Sequence, residues 1–147
     1  MSAKRRLTIR LRNREAARIT RECIRSKRLV YVILADKKLQ YASGRSRIAY
    51  IGTTRKGTSR VLGSLAFRAK TILRWRGVRE CHVKVVTCAS RHGVQTWRKL
   101  ERALLVVFKE LYGEVPRCNT HGARMKPRDA FDYFKCSRVR NVIDELS

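Results

Sequence analysis

Three short runs of β-branched and aromatic residues predict the strands of a small sheet. The run from Leu29 to Leu34 is apolar throughout, which predicts a buried strand. Residues 36–47 are mostly polar and contain a glycine, so they predict a hairpin loop. A second strand is expected over residues 48–51, ending at Gly52, and a third over residues 82–87, where apolar and polar residues alternate loosely.

Apolar residues recur at helical spacing in two longer segments. The first begins with Thr58 or Ser59 as its N-cap, runs to about Arg76, and is stopped by Gly77. The second spans about residues 95–112 and is followed by a glycine. The expected core-facing residues of this second helix are Trp97, Leu100, Leu104, Val107, Phe108 and Leu111.

This order of elements predicts an α/β fold, with a small, mainly antiparallel three-stranded sheet flanked by helices. We divide the chain into a basic N-terminal arm over residues 1–27, a folded domain over residues 28–120, and a C-terminal tail over residues 121–147. The tail, which contains Phe131, Tyr133 and Phe134, is expected to form a short helix that packs back on the core.

Charge narrows the choice of partner. The chain has 36 Lys and Arg against 11 Asp and Glu, a formal net charge of +25 at pH 7. Such a chain attracts polyanions, so nucleic acid is the expected partner, and a merely solvated basic surface is the alternative. Eleven of the basic residues and only two acidic ones lie in the first 28 positions. We expect this arm, partly helical, to bind nucleic acid through Arg5, Arg6, Arg10, Arg12 and Arg14; a flexible solubilising tail is the alternative.

Neither a membrane nor an export route is expected. No apolar run approaches the roughly 20 residues that span a bilayer, and none of signal-peptide length opens the chain. The five cysteines are odd in number and scattered, which is typical of free thiols in an intracellular protein. The expected location is the cytoplasm or nucleoid, or the nucleus in a eukaryote. Cys118 and His121 have the spacing of half a zinc site, but no second compact pair accompanies them, so we assign no zinc.

Candidate catalytic residues follow the predicted elements in order. A tyrosine ends the triplet Leu29-Val30-Tyr31, and another opens Tyr50-Ile51-Gly52, which is followed by two threonines. Arg60 lies ten residues after Tyr50, Glu101 lies in the second helix, and Asn119 ends the loop Pro116-Arg117-Cys118-Asn119. Over residues 28–120, about two thirds of the chain, this pattern resembles the GIY-YIG nuclease family.

The resemblance implies a metal-dependent endonuclease that hydrolyses phosphodiester bonds in duplex, branched or damaged DNA, with RNA as a further possibility. A lone carboxylate, Glu101, would hold one hydrated Mg²⁺ or Mn²⁺, and Arg60 would clamp a phosphate oxygen. Tyr31 would activate the attacking water with Tyr50 as its partner, and the Asn119 amide would tie the closing loop to the active-site strands. Each residue also has an ordinary interpretation: a surface glutamate, a general backbone-binding arginine, or core aromatic residues in strands.

The chain departs from the family pattern at two positions. Leu29 replaces the first glycine of the GIY triplet, and Ser64 stands four residues after Arg60, where the family often has His or Tyr. Ser64 therefore leaves one candidate for general acid or base catalysis absent. Arg68, two turns after Arg60, is a second phosphate contact or a substitute for it.

Two further positions, Lys56 and His92, are expected to contact nucleic acid. The first alternative function is a catalytically inactive basic module that binds DNA or RNA, which the serine at position 64 favours weakly. The second is a ribosome-associated or RNA-binding protein, since charge alone cannot distinguish RNA from DNA. The joint presence of Tyr31, Tyr50, Arg60 and Glu101 favours the nuclease.

Overall fold

The computed structural model describes Arg10, residues 27–120 and residues 131–147. Within these ranges the chain forms three strands and three helices. In chain order they are β1 (Leu29–Tyr41), β2 (Gly44–Thr54), α1 (Thr58–Ile72), β3 (Cys81–Val86), α2 (Thr96–Tyr112) and α3 (Cys136–Leu146). The predicted α/β class, with a three-stranded antiparallel sheet and flanking helices, is confirmed.

Strand β1 lies at the centre of the sheet, whose order is β2-β1-β3 with both pairs antiparallel. Every residue from Leu29 to Ala35 is buried, so both faces of this strand are covered. That burial explains the continuous apolar run in the sequence, because a strand covered on both faces has no polar side to alternate with. Tyr31 pairs with Gly52 on one side and with Val85 on the other.

The hairpin between β1 and β2 is longer than predicted, and the loop expected over residues 36–47 is wrong. β1 continues to Tyr41 and β2 begins at Gly44. Leu39, Tyr41, Ser46 and Ile48 are buried, whereas the polar residues 36–38 are exposed on a strand whose register shifts. Three exposed polar residues in succession imitate a loop, although the backbone stays extended. β2 likewise continues through Gly52 to Thr54.

Helix α1 starts one or two residues before the predicted start and ends earlier than predicted, at Ile72 rather than near Arg76. Its N-cap is Gly57 with φ of 76°, and no side chain caps the helix, so neither Thr58 nor Ser59 is the N-cap. A turn follows the helix and reaches Gly77, which adopts the left-handed φ of 78°. The glycine expected to stop the helix therefore closes the turn after it.

Helix α2 matches its predicted span and ends at Gly113, whose φ of 79° places it in the left-handed region typical of a helix C-cap. It packs against both the sheet and α3. Its middle is consequently buried beyond the predicted stripe, at Ala103, Leu105 and Val106 as well. The predicted tail helix exists as α3, but it follows the tail's aromatic residues instead of containing them, and it docks through Val139 and Ile143.

Several predictions concern residues outside the described ranges. They include the arm's helical stripe, its arginines Arg5, Arg6, Arg12 and Arg14, and the zinc candidate His121. Arg10 is described and exposed. Of the helices in the described ranges, none is long and apolar enough to cross a membrane.

Candidate active site

Tyr31 and Tyr50 lie side by side on the two paired strands β1 and β2. Their ring centroids are 5.8 Å apart and the ring planes are inclined by 43°. Gly52 makes room for this arrangement, since a Cβ atom at that position would lie 2.5 Å from Tyr50 Cε1. The glycine of the Tyr50-Ile51-Gly52 triplet is therefore needed for the close approach of the Tyr50 ring to the strand.

The Tyr31 hydroxyl group is held inside the protein by Ser64 of α1. Tyr31 is 3% exposed and Ser64 4% exposed, and the tyrosine donates a hydrogen bond of 2.8 Å to Ser64 Oγ. Arg68 Nη1 donates a second bond of 2.7 Å to the same oxygen. Both lone pairs of the serine are thus used, and its own proton remains free to be donated. The position that departs from the family pattern is a buried polar bridge between β1 and α1.

Arg68 forms part of this cluster through stacking as well as through hydrogen bonding. Its guanidinium carbon lies 3.6 Å from the centroid of the Tyr50 ring, which is a close cation–π contact. Sequence reasoning predicted only a phosphate contact for this half-buried arginine. The signal that could have revealed its contact is the spacing of four residues from Ser64, which places two helical side chains next to each other.

Burial raises the pKa of Tyr50 to about 12. The nearby Tyr31 contributes to this rise, the Arg68 guanidinium opposes it, and Glu101 makes a smaller contribution to it. Tyr50 is therefore a neutral hydrogen-bonding group at pH 7. Glu101 lies on α2 and not on the sheet, yet its carboxyl group is within electrostatic range of Tyr50.

Glu101 is a half-buried carboxyl group whose pKa is raised to about 7 by desolvation, with Arg98 and Arg102 opposing the rise. Such a group is easily charged by a neighbouring cation, because the cation favours the ionised form. Within the described residues no group of three or more His, Cys, Asp or Glu side chains lies together. A single carboxylate such as that of Glu101 can hold an ion that keeps most of its water ligands, as Mg²⁺ does.

Arg60 is exposed in the first turn of α1 and faces a cleft of about 390 Å³. The cleft contains no carboxylate side chain, and its lining residues are Thr53, Thr54, Arg55, Lys56, Arg60, Trp97 and Arg98. Arg98 lines the cleft and also acts on the Glu101 carboxyl group, so the cleft borders the tyrosine–glutamate cluster. Four cationic side chains in a cleft whose lining has no acidic side chain suit an anion such as a phosphodiester.

Asn119 fastens the closing loop to β2 as predicted. Its Oδ1 accepts a 3.0 Å hydrogen bond from the Ile51 amide and its Nδ2 donates a 2.8 Å bond to the Ile51 carbonyl. The backbone N–H of Cys118 adds a 2.9 Å bond to the Ala49 carbonyl. These bonds bracket Tyr50 on both sides, so the loop fixes the strand position from which the tyrosine projects.

Sequence reasoning missed part of the cleft. Trp97 was expected only in the core, yet it lines the cleft, and the Arg28 guanidinium lies 4.9 Å from its ring centroid. Arg55 and Arg98 were not singled out; the position of Arg55 next to Lys56, after the two threonines that follow Gly52, could have indicated the first of them. His92 is exposed in the turn bridged by Arg91 and Val94 and does not line the cleft.

The structure thus brings most of the candidate residues to one end of the sheet. The tyrosine pair, Ser64 and Arg68 form a cluster with Glu101 in electrostatic range of Tyr50, and the nearby cleft holds Arg60 and Lys56. Comparison of the chain with protein-family models, with curated proteins and with solved structures gives no match.

Proposed function

We propose that the protein is a metal-dependent endonuclease that hydrolyses phosphodiester bonds in DNA, with a site of the GIY-YIG type. One observation carries the proposal: a half-buried glutamate with a pKa of about 7 lies within electrostatic range of Tyr50 and of Arg98, one of the four cations that line the cleft. Structural carboxyl groups are seldom placed in this way, because burial without a partner destabilises the charged form.

The cleft would hold the phosphodiester. The Arg60 guanidinium can donate two parallel hydrogen bonds to phosphate oxygens, and Arg55, Lys56 and Arg98 supply further positive charge around it. These groups would also stabilise the additional negative charge that develops on the phosphoryl oxygens in the transition state.

Glu101 would hold the metal ion at the border of the cleft. Bound Mg²⁺ or Mn²⁺ would supply a Lewis acid for the phosphoryl oxygens and the leaving group. Deprotonated Glu101 is the form that serves as ligand, so the raised pKa links metal binding to the loss of one proton near pH 7. Arg98 and Arg102 keep that pKa from rising further.

The tyrosine pair would orient the attacking water, and the ionised form of one tyrosine would accept its proton, since a neutral phenol already carries a proton and has no place for a second. We assign the proton-accepting role to Tyr31 and the orienting role to Tyr50, in line with the resemblance. Ser64 fixes the Tyr31 hydroxyl group through a 2.8 Å bond, and the guanidinium stacked on Tyr50 lowers the cost of negative charge there. Ser64 therefore acts as a positioning residue, in the place where a third acid or base would otherwise stand.

A catalytically inactive module that binds DNA or RNA is the second candidate, and one observation favours it. The Tyr31 hydroxyl group is buried and already donates its proton to Ser64, so water reaches it less easily than it reaches the half-buried Tyr50. Such a module would keep the cationic cleft and the basic arm for affinity and would not cleave.

Cleavage of supercoiled plasmid with Mg²⁺ or Mn²⁺, run beside EDTA, single-stranded DNA and RNA, separates the two candidates. We expect metal-dependent nicking of DNA. Binding without cleavage in either metal would establish the inactive module, and cleavage confined to RNA would replace DNA as the substrate.

Glu101→Ala tests the site itself, and Glu110→Ala is its matched control because it removes an exposed carboxylate from the same helix. We expect Glu101→Ala to abolish cleavage while DNA affinity stays the same or rises, since a negative charge near the phosphates is lost. Glu110→Ala should cleave at the wild-type rate. A wild-type rate for Glu101→Ala would remove the metal assignment.

A further inference from the structure

Helix α1 presents an aromatic side chain to solvent. Phe67 is 74% exposed, compared with 45% for Leu73 and 38% for Tyr133, the other large apolar side chains that are exposed in the described ranges. Scattered exposed apolar residues are common on protein surfaces and by themselves indicate nothing. The surroundings of Phe67 give its exposure a meaning.

Phe67 shares one face of α1 with Arg60, Gly63 and Lys70, because these positions repeat every three or four residues. All four are exposed, and a Cβ atom at Gly63 would meet nothing within 4 Å. The surface between Arg60 and Phe67 is therefore open. Seven residues at a rise of 1.5 Å separate the two side chains by about 10 Å along the helix.

The segment that carries this face is rich in positive charge. Residues 55–79 contain eight Arg and Lys and no Asp or Glu. The fitting partner is therefore anionic and has an apolar surface for the phenyl ring. Charge disfavours the chain's own basic arm and a second copy of the chain, whose net charge is +25. A nucleic-acid strand satisfies both requirements, since its phosphates are anionic and its bases have apolar π-faces.

We propose that Phe67 stacks on an unpaired base of a nucleic acid whose backbone phosphate is bound at Arg60. About 10 Å corresponds to roughly three stacked steps at 3.4 Å each. A base inside an intact duplex offers no free face to a protein ring, so this contact selects single-stranded, bubble or branched substrates. The inference rests on the proposed function only in taking nucleic acid as the partner, and it names the substrate class.

The test measures binding in EDTA, so that it does not depend on cleavage. The probes are a fully paired duplex and the same duplex with a short unpaired bubble carrying 2-aminopurine. The variants are Phe67→Ala, Phe67→Trp and, as a matched control, Leu73→Ala, which removes another exposed apolar side chain just after the same helix. Thermal melts check that each variant is folded.

We expect the wild-type protein to bind the bubble DNA more tightly than the paired duplex and to quench the fluorescence of 2-aminopurine. Phe67→Ala should lose about 5- to 150-fold in affinity for the bubble, the range measured for removal of a stacking aromatic residue, with duplex affinity unchanged. Phe67→Trp and Leu73→Ala should keep the preference. Equal bubble affinity for Phe67→Ala and the wild type would overturn the proposal, as would equal losses on both DNAs.

If Phe67→Ala loses affinity for phosphatidylserine vesicles but not for the bubble DNA, the stacking proposal is overturned in favour of a lipid surface. Failure of this proposal and failure of the proposed function are separable. If Glu101→Ala has no effect on cleavage but Phe67→Ala abolishes the bubble preference, the metal site is wrong and the stacking contact stands. The opposite pair of results leaves the nuclease and removes the stacking contact.

Discussion

The hairpin of β1 and β2 carries a tyrosine cluster at each end, and the two clusters differ in their partners. At the turn end, Tyr41 packs edge-on against Phe108 at 5.1 Å between ring centroids, and Phe108 lies 4.6 Å from Tyr112. The Tyr41 hydroxyl group donates to the Ile48 carbonyl and accepts from the Arg117 backbone N–H. At the other end, Tyr31 and Tyr50 contact side chains of α1.

Burial does not distinguish the clusters, since desolvation raises the pKa of both Tyr41 and Tyr50 to about 12. The partners do distinguish them. The hydroxyl group of Tyr41 bonds to backbone atoms, whose position and charge are fixed. The hydroxyl group of Tyr31 bonds to a serine that also binds a guanidinium, and Glu101 lies near with a pKa of about 7. Groups that can change charge or exchange protons make the second cluster suited to chemistry and the first suited to holding the fold.

Among the tyrosine variants, the largest expected effect is on the rate of cleavage when the Tyr31 hydroxyl group is removed. Tyr31→Phe keeps the ring packing, so the fold should survive. If Tyr31 accepts the proton of the water, the rate should fall by about 10² to 10⁴, the usual contribution of general-base catalysis. Tyr50→Phe should have a smaller effect because its hydroxyl group only orients the water. Single-turnover cleavage measured against pH checks both variants, and raising the pH should partly restore the Tyr31→Phe rate through hydroxide.

A normal rate for Tyr31→Phe together with an inactive Tyr50→Phe would exchange the two roles. This outcome would agree with the greater exposure of Tyr50. Normal rates for both would show that neither tyrosine is the base. In that case the Tyr31–Tyr50 cluster would differ from the cluster around Tyr41 in its contacts but not in its function.

Deleting residues 1–27 should weaken DNA binding and leave the chemistry of the Tyr31–Tyr50 cluster intact. The deleted stretch carries ten basic and two acidic residues. If half of the basic residues contact phosphates, the slope of log affinity against log salt should shrink by roughly 4 to 5. Titrations of DNA binding over a range of salt concentrations measure the slope, and cleavage at saturating DNA provides the control. A constant slope would identify the arm as a passive tail.

The pH dependence of cleavage tests the part played by Glu101, which acts electrostatically on Tyr50 of the Tyr31–Tyr50 cluster. The pKa of this carboxyl group lies at about 7, above its usual value of 4.5. Lowering the pH through 7 protonates the metal ligand, so at subsaturating Mg²⁺ the rate should fall by about tenfold per unit well below that point. More Mg²⁺ should shift the fall to lower pH, since metal and proton compete. If the rate instead falls with a midpoint near pH 4.5 that does not change with Mg²⁺ concentration, the raised pKa plays no part in metal binding.

The smallest expected effect on rate comes from the turn-end cluster. Tyr41→Phe leaves the Ile48 carbonyl and the Arg117 N–H without their partner. We expect a loss of about 1–3 kcal/mol in the free energy of unfolding and an unchanged cleavage rate. Denaturant titration measures the loss, and a slower enzyme of unchanged stability would break the proposed division between the clusters.

The sequence predicted the fold class and the second helix closely, because both follow from periodicity and from glycine signals. The hairpin was predicted too short, since exposed polar residues in β1 look like a loop when the buried Leu39 and Tyr41 beyond them are overlooked. Asn119 could be placed through the family resemblance. The bond between Tyr31 and Ser64 could not, because the residues are 33 positions apart and meet only after α1 packs on the sheet.

The stacking of Arg68 and the exposure of Phe67 were also out of reach of the sequence. Arg68 and Phe67 are adjacent in α1, but the orientation of the helix against the sheet gives them different surroundings. Arg68 is half-buried against Tyr50, whereas Phe67 is exposed to solvent. Periodicity marks an apolar face but does not show how far around the helix the burial extends.

The division between the clusters is tested most directly by one crossed measurement of Tyr31→Phe, Tyr41→Phe and the double variant. Ten residues of extended strand, roughly 33 Å, separate the two positions, so their effects should add. The single-turnover rate should fall only with Tyr31→Phe, the free energy of unfolding should fall chiefly with Tyr41→Phe, and the double variant should show both losses. A rate that falls as far with Tyr41→Phe as with Tyr31→Phe would contradict the assignment of chemistry to one end of the hairpin.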